Sequence, residues 1–333
     1  MQRREFLGGL LAVTATSIVE AQGADRVYRI GIVSPSAPIS QMTETGNFPS
    51  FVPFFTELRR LGYIEGKNLE VLRFSAGADP ARFDATVGDA VHAAPELVVS
   101  VGNAMTMRLK TTVPIIPVVA AMSDPVANRL VASLSRPGAN ITGVASDAGA
   151  GVWGKRLAML REVVPGAPCF GILVSESIWD SAQGAAAREA AQQLAITLVG
   201  SRLRGAMNEA EYRRVFGTIV EQNAAGLLVS EISENFVQRG LIVDLVTRAK
   251  LPAIYCYREF VEAGGLMAYT YDIGDIWRRM ANYVDLVLKG TKPNDLPIYQ
   301  PTKFDTIVNL KTANAMGLTL PPTLMAQADE VIE

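Results

Sequence analysis

The stretch VPIIPVVAAMSDPVANRLVASL, residues 113–134, contains three kinds of segment in a row. Residues 114–120 form an apolar run rich in β-branched side chains, which predicts a buried strand. A short polar loop with Ser123 and Asp124 follows, and residues 125–134 place their apolar side chains at helical spacing. A strand that leads through a loop into a helix is the repeating unit of a parallel α/β sheet. This stretch therefore predicts an α/β fold, and it raises the question of what the carboxylate in its loop does.

The same unit recurs along most of the chain. Strands are predicted at 27–34, 68–74, 96–101 and 114–120, and helices at 50–63, 79–94, 103–112 and 125–134. After a turn rich in Pro, Gly and Asn, strands are predicted at 169–175, 196–203, 225–230 and 252–256, with helices between them. The chain ends with a strand near 264–272, a helix at 273–290, an extended proline-rich piece at 292–304 and a strand at 306–310. Two successive α/β units of similar size predict two similar lobes joined near 140–146.

Asp124 has three possible roles: a catalytic acid, a ligand clamp or the N-cap of the helix predicted at 125–134. An Asp-Pro pair also begins the helix at 79–94, where Asp79 follows a loop rather than a strand. Capping alone is therefore sufficient to explain such a pair, and it is the favoured role of Asp124. Capping does not exclude ligand contact, because the free N–H groups at a helix start attract carboxylates.

Small and polar residues stand at the ends of the predicted strands. In an open parallel sheet, ligands bind outside the carboxyl ends of the strands. The candidates at these positions are Ser34, Gly102, Asn103, Ser123, Asp124, Ser175, Ser230 and Tyr257. Ser, Asp and Asn are also common helix caps in such loops, so capping is the alternative for each of them.

Composition excludes several classes of function. The 333 residues suit two domains, the formal net charge is −2, and the Lys and Arg residues are scattered, unlike those of a nucleic-acid binder. One histidine and two cysteines argue against a metal site or a Cys/His nucleophile, and no cofactor is expected. His92 is expected on a helix surface. Cys169 and Cys256 lie in apolar runs and are expected as thiols rather than as a disulfide.

The first 24 residues have the three-part plan of a secretory signal. Arg3 and Arg4 precede an apolar run from Phe6 to about Ala15, and small residues follow up to a cleavage site near Ala21. This run is too short to span a bilayer, which needs roughly 20 apolar residues. The RREFL sequence resembles a twin-arginine export signal, with an ordinary amphipathic N-terminal helix as the alternative. With no cysteine near the cleavage site for a lipoprotein anchor, we expect the mature protein in the periplasm.

Three segments make the chain similar to the ABC-transporter substrate-binding protein family related to the tryptophan- and tyrosine-binding components. They are residues 113–144, YREFVEAGGLMAY at 257–269, and the long run PTKFDTIVNLKTANAMGLTLPPTLMAQADEVIE at 301–333. The resemblance covers essentially the whole chain. It implies a type I-like periplasmic-binding-protein fold, with two doubly wound parallel-sheet lobes, a ligand cleft between them and a multi-strand hinge.

The same resemblance implies where the lobes and the hinge lie. One lobe would contain residues 27–142 with about 269–292, and the other would contain 146–265 with about 302–333. The hinge strands would include residues 140–144 and 264–269, and a third crossing would lie near 298–304.

The sequence departs from the family's pattern where a ligand would bind. Residues 102–105 read GNAM where the family often has Gly-Thr-Pro-Ala, and SESIWDSA at 175–182 replaces an Asn-rich loop. The segment YTYD at 269–272 replaces a Tyr-Gly pair. Trp179 and Tyr271 in these segments could stack on a planar ligand, with ordinary packing as the alternative for each.

We expect a monomeric periplasmic protein that binds a small molecule between its lobes and delivers it to an ABC permease of the inner membrane. Hydroxyls, amides and helix N-termini suit a carboxylate, and Asp124 or Glu231 suits an amine, so an amino acid or an aromatic carboxylate is favoured. One alternative is an α/β enzyme that uses Asp124 with Glu231 or Glu176 as acid and base. The absence of nucleophile and metal-ligand motifs argues against it. A periplasmic sensor that reports ligand to a receptor is the other alternative.

Overall fold

The computed structural model describes residues 26–112, 115–146 and 151–333. The export signal predicted at 1–24 lies outside these residues and stays a prediction. None of the helices in the described part of the chain has both the length and the apolar character needed to cross a membrane.

The first sheet is built from the N-terminal half of the described residues. Its strands are β1 Tyr28–Ser34, β2 Leu69–Ser75, β3 Leu97–Val101, β4 Val118–Met122 and β5 Ile141–Ala145. They lie in the order β2-β1-β3-β4-β5, and every neighbouring pair is parallel. Their connecting helices are α1 Phe51–Arg60, α2 Phe83–His92 and α3 Asn103–Thr112. The central strands are almost wholly buried, as expected for a parallel sheet with helices on both faces.

The second sheet repeats this plan. Its strands are β6 Cys169–Leu173, β7 Thr197–Val199, β8 Leu227–Val229, β9 Ala253–Tyr255, β10 Met267–Thr270, β11 Asp305–Asn309 and β12 Glu330–Ile332. The order β7-β6-β8-β9-β10 matches that of the first sheet, and β11 and β12 extend the far edge. All pairs are parallel except β10 with β11. The predicted fold class, two parallel-sheet α/β lobes of the type I-like class, is therefore confirmed.

Helices cover the second sheet and connect its strands. They are α4 Gly151–Val163, α5 Glu176–Trp179, α6 Ala182–Gln193, α7 Glu209–Glu221, α8 Ser233–Val237, α9 Arg239–Arg248, α10 Arg258–Glu262, α12 Leu310–Met316 and α13 Pro322–Ala326. The remaining helix, α11 Ile273–Leu288, follows β10 of the second sheet but packs on α1 and on β4 and β5 of the first. Trp277 fixes this contact, with its ring centroid 5.1 Å from that of Phe51 and 5.9 Å from that of Phe54.

The prediction of a helix at 125–134 is wrong. The structure has turns and bends there, and Asp124 and Arg129 adopt left-handed backbone angles, with φ of 40° and 56°. The Leu130 N–H donates to the carbonyl of Pro125 over 2.8 Å, one residue further back than in an α-helix. Leu130 and Val131 are nevertheless buried in the core of the first lobe. Packing of these two side chains on the sheet therefore overrides the helical spacing.

The chain passes between the lobes at three places. The first lies between Ser146 and α4, where residues 147–150 are outside the described residues, and the second joins β10 to α11. The third follows Tyr299, whose N–H donates to the carbonyl of Gly143 (3.0 Å) and whose carbonyl accepts from Ala145 (2.6 Å). This pairing ties residues near 299 to the end of β5. The lobe boundaries given above stay a prediction.

Candidate ligand-binding cavity

A cavity of about 710 Å³ lies between the two lobes, and its wall is formed by residues that follow strands of both sheets. The strand order of each sheet reverses between β1 and β3 in the first lobe and between β6 and β8 in the second, and residues that follow these strands line the cavity. Loops diverge at such a point and leave a crevice outside the carboxyl ends of the strands. The repeated strand order thus gives each lobe a crevice, and the two crevices face each other.

In the first lobe, three of the predicted ligand-binding residues lie together in the cavity wall. Gly102 follows β3 with φ of 81°, a conformation that glycine adopts without strain. Asn103 begins α3, and its amide joins two loops: Nδ2 donates to the carbonyl of Ser123 (2.7 Å), and Oδ1 accepts from the Ser123 N–H (2.9 Å). The Ser123 hydroxyl lies 2.9 Å from that of Ser146, which follows β5. Ligand contact by these residues stays a prediction.

In the second lobe, Ser175 and Glu231 line the cavity. Ser175 caps α5, because its Oγ accepts from the N–H of Ile178 over 3.3 Å. Glu231 follows β8 and forms a buried ion pair with Arg156 at 3.2 Å. The Arg156 guanidinium also donates to the carbonyl of Tyr269 over 3.0 and 3.1 Å, so that one cation holds two strand ends in place.

The wall is rich in aromatic rings. The aromatic residues that line the cavity are Phe48, Phe83, Phe236, Tyr257, Tyr271 and Trp277. The Phe48 and Phe236 rings meet across the two lobes with centroids 4.9 Å apart, and Phe236 also meets Tyr257 edge-on at 5.6 Å. Tyr271, predicted from the sequence, is buried and packs edge-on against Phe304 at 5.9 Å.

Ser34 and Ser230 stand at strand ends as predicted, but they are not among the described residues that line the cavity. Both are fully buried, and their hydroxyls are used inside their own lobes. Ser34 Oγ accepts from the Ala37 N–H (3.0 Å), and Ser230 Oγ accepts from Asn235 Nδ2 (3.1 Å). Loop stabilisation thus explains the two hydroxyls.

Asp124 and Trp179 also lie outside the cavity wall formed by the described residues. Asp124 Oδ1 accepts from the Ala127 N–H over 3.3 Å, so the carboxylate caps a turn instead of the predicted helix. The Trp179 ring is covered by two guanidinium groups, with centroid distances of 3.8 Å to Arg202 and 4.6 Å to Arg188. The ring therefore contacts two cations of its own lobe, and stacking of a ligand on Trp179 stays a prediction.

Charged side chains at the rim of the cavity are paired with one another. Arg204 meets Glu176 at 2.7 Å, and Arg108 meets Asp84 at 2.6 Å. All but Arg108 of these four side chains are at least half exposed, so solvent weakens the pairs. The charged groups of the cavity whose electrostatic interactions are least weakened by solvent are therefore the buried ones.

Glu234, Phe48 and Trp277 line the cavity but were not predicted from the sequence. Glu234 lies in α8, and an acidic residue after a strand end was its only signal. Trp277 belongs to the apolar stripe of α11 and Phe48 to an irregular loop, so nothing in the sequence distinguishes either from the core. Burial raises the pKa of the Glu234 carboxyl.

The lobes touch directly beside the cavity. Ser36 Oγ donates to Ser233 Oγ over 2.8 Å, and the Met207 N–H donates to the carbonyl of Ala78 over 2.9 Å. Together with the ring pair described above, these contacts describe a closed arrangement of the two lobes.

Solved structures share this fold. A conserved domain protein from Vibrio cholerae superposes with a TM-score of 0.79 at 22% identity, over 92% of this chain and 100% of that one. The ABC domain from Streptococcus pneumoniae in complex with L-Trp gives a TM-score of 0.77 at 20% identity, over 92% and 100%. A ligand-free, open substrate-binding protein with adhesive properties from Clostridium difficile gives 0.58 at 20% identity, over 92% and 99%.

Curated protein sequences gave no match to the chain. The family described as ABC transporter substrate binding protein matches residues 53–332, which is most of the sequence and includes both sheets from β2 onwards. The chain therefore belongs to the ABC transporter substrate binding protein family.

Proposed function

We propose that this protein captures a small molecule with a flat aromatic body, an amino acid or a related carboxylate, and delivers it to an ABC permease. The observation that carries the proposal is the interlobe cavity of about 710 Å³, whose volume falls in the range typical of small-molecule sites. A ligand that contacts both lobes stabilises the closed arrangement by contacts that an open arrangement lacks.

The lining supports this class of ligand. Aromatic rings offer stacking and edge contacts to a planar body, worth about 0.5–1.5 kcal/mol beyond the burial of area. Asn103, Ser123 and Ser175 also line the cavity, and their hydroxyl and amide groups offer donors to a carboxylate. The L-Trp complex of the Streptococcus pneumoniae protein with the same fold lends the proposal further support.

A thermal-shift screen of the purified protein tests the ligand class. The screen contains aromatic and aliphatic amino acids, aromatic acids, sugars and nucleosides. A ligand at 100 times its Kd adds about 2.7 kcal/mol to the free energy of unfolding, which is readily seen as a raised Tm. We expect L-tryptophan or a related aromatic compound to raise the Tm. A raised Tm with sugars or nucleosides alone would show the ligand class to be wrong.

The enzyme alternative needs Asp124 and Glu231 to act on one substrate. Glu231 lines the cavity in an ion pair with Arg156, whereas Asp124 caps a turn outside the wall. We therefore favour binding without turnover. Conversion of a bound compound, followed by mass spectrometry after incubation with the protein, would contradict this choice.

Delivery to a permease requires export. Changing Arg3 and Arg4 to Lys should retain the protein in the cytoplasm if the twin-arginine route is used, as cell fractionation would show. Normal periplasmic delivery of the double variant would assign it to the general secretory route. A permease and an ATPase encoded beside the gene would favour transport, and an adjacent receptor would favour sensing.

A further inference from the structure

Glu234 is a buried carboxyl group in the wall of the interlobe cavity. It lies in α8 of the second lobe, only 6% of the residue is exposed, and the residue lines the cavity. The same short helix carries Phe236 of the aromatic wall, so one element supplies both an acidic and an aromatic group to the cavity.

Glu234 differs from the other buried carboxylate of the wall. Glu231 is held by the guanidinium of Arg156 at 3.2 Å. Glu234 makes no ion pair with any residue in the described part of the chain. The side-chain hydrogen bond that it accepts there comes from Ser233 Oγ, at the long distance of 3.4 Å.

A buried carboxylate without a counter-charge is unfavourable, because water no longer solvates it. The raised pKa of Glu234 expresses this penalty, since burial favours the neutral form. A ligand that brings a cationic nitrogen into the cavity would supply the missing counter-charge and a charge-assisted hydrogen bond.

We propose that Glu234 is the carboxylate that recognises a cationic nitrogen of the ligand, and that the cavity selects amine-bearing aromatic compounds over aromatic acids that lack an amine. This inference rests on the proposed function, because it assigns a recognition group within the same cavity. It also links recognition to the lobe contact, because Ser36 of the first lobe donates to Ser233, which donates to Glu234.

Three probes that share an indole ring separate the two charges of an amino acid. Tryptamine carries the amine alone, L-tryptophan carries both groups, and indole-3-propionate carries the carboxylate alone. Isothermal titration of the wild-type protein should give tighter binding of the two amine-bearing probes than of indole-3-propionate, by at least about tenfold for a hydrogen bond to a charged group.

Glu234→Gln keeps the shape of the side chain and removes its negative charge. We expect this variant to bind tryptamine and L-tryptophan at least about tenfold more weakly and to bind indole-3-propionate within about twofold of wild type. Glu259→Gln is the matched control. Glu259 is another carboxyl in this lobe whose pKa is raised by burial, but it lies outside the cavity wall formed by the described residues, so its variant should bind like wild type.

Each outcome decides between the two proposals. If the probes bind but Glu234→Gln leaves the preference for amine-bearing probes unchanged, the assignment of Glu234 is overturned and the proposed function stands. The same holds if Glu259→Gln weakens that preference as much as Glu234→Gln does. If none of the probes binds, the proposed ligand class falls and this assignment falls with it. Glu234→Asp keeps the negative charge and is a second control, measured in the same titrations. If it retains part of the amine preference, the loss in Glu234→Gln comes from the missing charge and not from a folding defect.

Discussion

At the residue scale, Arg156 is the side chain that connects the ends of two strands in the second lobe. It is fully buried, pairs with Glu231 and donates to the carbonyl of Tyr269. Burial opposes its charge, but the ion pair with the Glu231 carboxylate outweighs that effect, so the pKa of Arg156 is raised and the guanidinium stays charged. A buried pair of this kind adds little net stability over an apolar replacement of both partners, yet removing one partner is strongly unfavourable.

Arg156→Met should therefore lower the free energy of unfolding by about 3–5 kcal/mol, because it leaves the Glu231 carboxylate buried without its cation. Urea denaturation measures the change. Arg213→Met is the control: Arg213 forms a half-exposed pair with Glu209 one helical turn away, and its loss should cost at most about 0.5 kcal/mol. Similar losses in the two variants would contradict the role assigned to the buried pair.

Cys256 gives a second test at this scale. Burial raises the pKa of its thiol to about 12, and its Sγ donates to the carbonyl of Val229 at 2.8 Å. At pH 8 only about one molecule in ten thousand then carries the reactive thiolate. A thiol reagent should modify at most Cys169, which is partly exposed, in the native protein and both cysteines after unfolding in urea. Rapid native modification of a Cys169→Ala variant would show that Cys256 is accessible.

At the scale of elements, β5 depends on a glycine at its centre. Gly143 has φ of 133°, and a Cβ at this position would lie 2.1 Å from the carbonyl oxygen of Ala120 on β4. No L side chain fits there, because both the backbone angle and the contact are forbidden. The glycine thus permits the close pairing of β4 with the strand that leads out of the first lobe.

Gly143→Ala should lower the free energy of unfolding by at least about 2 kcal/mol, since it combines backbone strain with a steric clash. Gly217→Ala is the matched control. Gly217 lies inside α7, and a Cβ there would meet no atom within 4 Å, so alanine should stabilise the helix by about 0.5–1 kcal/mol. Opposite signs in urea denaturation would confirm the assignment, and a neutral Gly143→Ala would refute it.

At the scale of the whole molecule, the cavity lies between two lobes that are in direct contact beside it. The Ser36 and Ser233 hydroxyl oxygens are 2.8 Å apart across this contact, so cysteines at the two positions would bring two thiols together for oxidation. A covalent link at this point would hold the closed arrangement whether or not a ligand is present.

A Ser36→Cys, Ser233→Cys double variant should therefore have the same radius of gyration with and without L-tryptophan when oxidised. After reduction, ligand-free protein should expand, and saturating L-tryptophan should return it to the compact value, as solution scattering would show. The single Ser36→Cys variant is the control for oxidation itself. No difference between free and saturated protein after reduction would mean that the lobes do not move.

Much of the fold could be predicted from the sequence, because local patterns carry it. Alternating β-branched runs and amphipathic stretches gave the two α/β units, and the C-terminal run indicated the family. Strand ends also pointed to Gly102, Asn103, Ser123, Ser175 and Tyr271, which line the cavity. These residues come together because an open parallel sheet places its loops at one edge, whatever the side chains do, and their contact with a ligand stays a prediction.

The rest was decided by tertiary structure. The cavity wall formed by the described residues contains the same residue types as four predicted residues that lie outside it: Ser34, Asp124, Trp179 and Ser230. Their polar groups form hydrogen bonds within their own lobes, or, for Trp179, the ring contacts guanidinium groups of its own lobe. The turn at 125–134 replaced a helix because burial of two apolar side chains on the sheet outweighed helical spacing. The role proposed for Glu234 depends on its burial, which only the tertiary structure determines. A carboxylate can serve as a recognition group where solvent no longer satisfies its charge. Sequence patterns report local periodicity, whereas burial and partner choice depend on contacts between residues far apart in the chain.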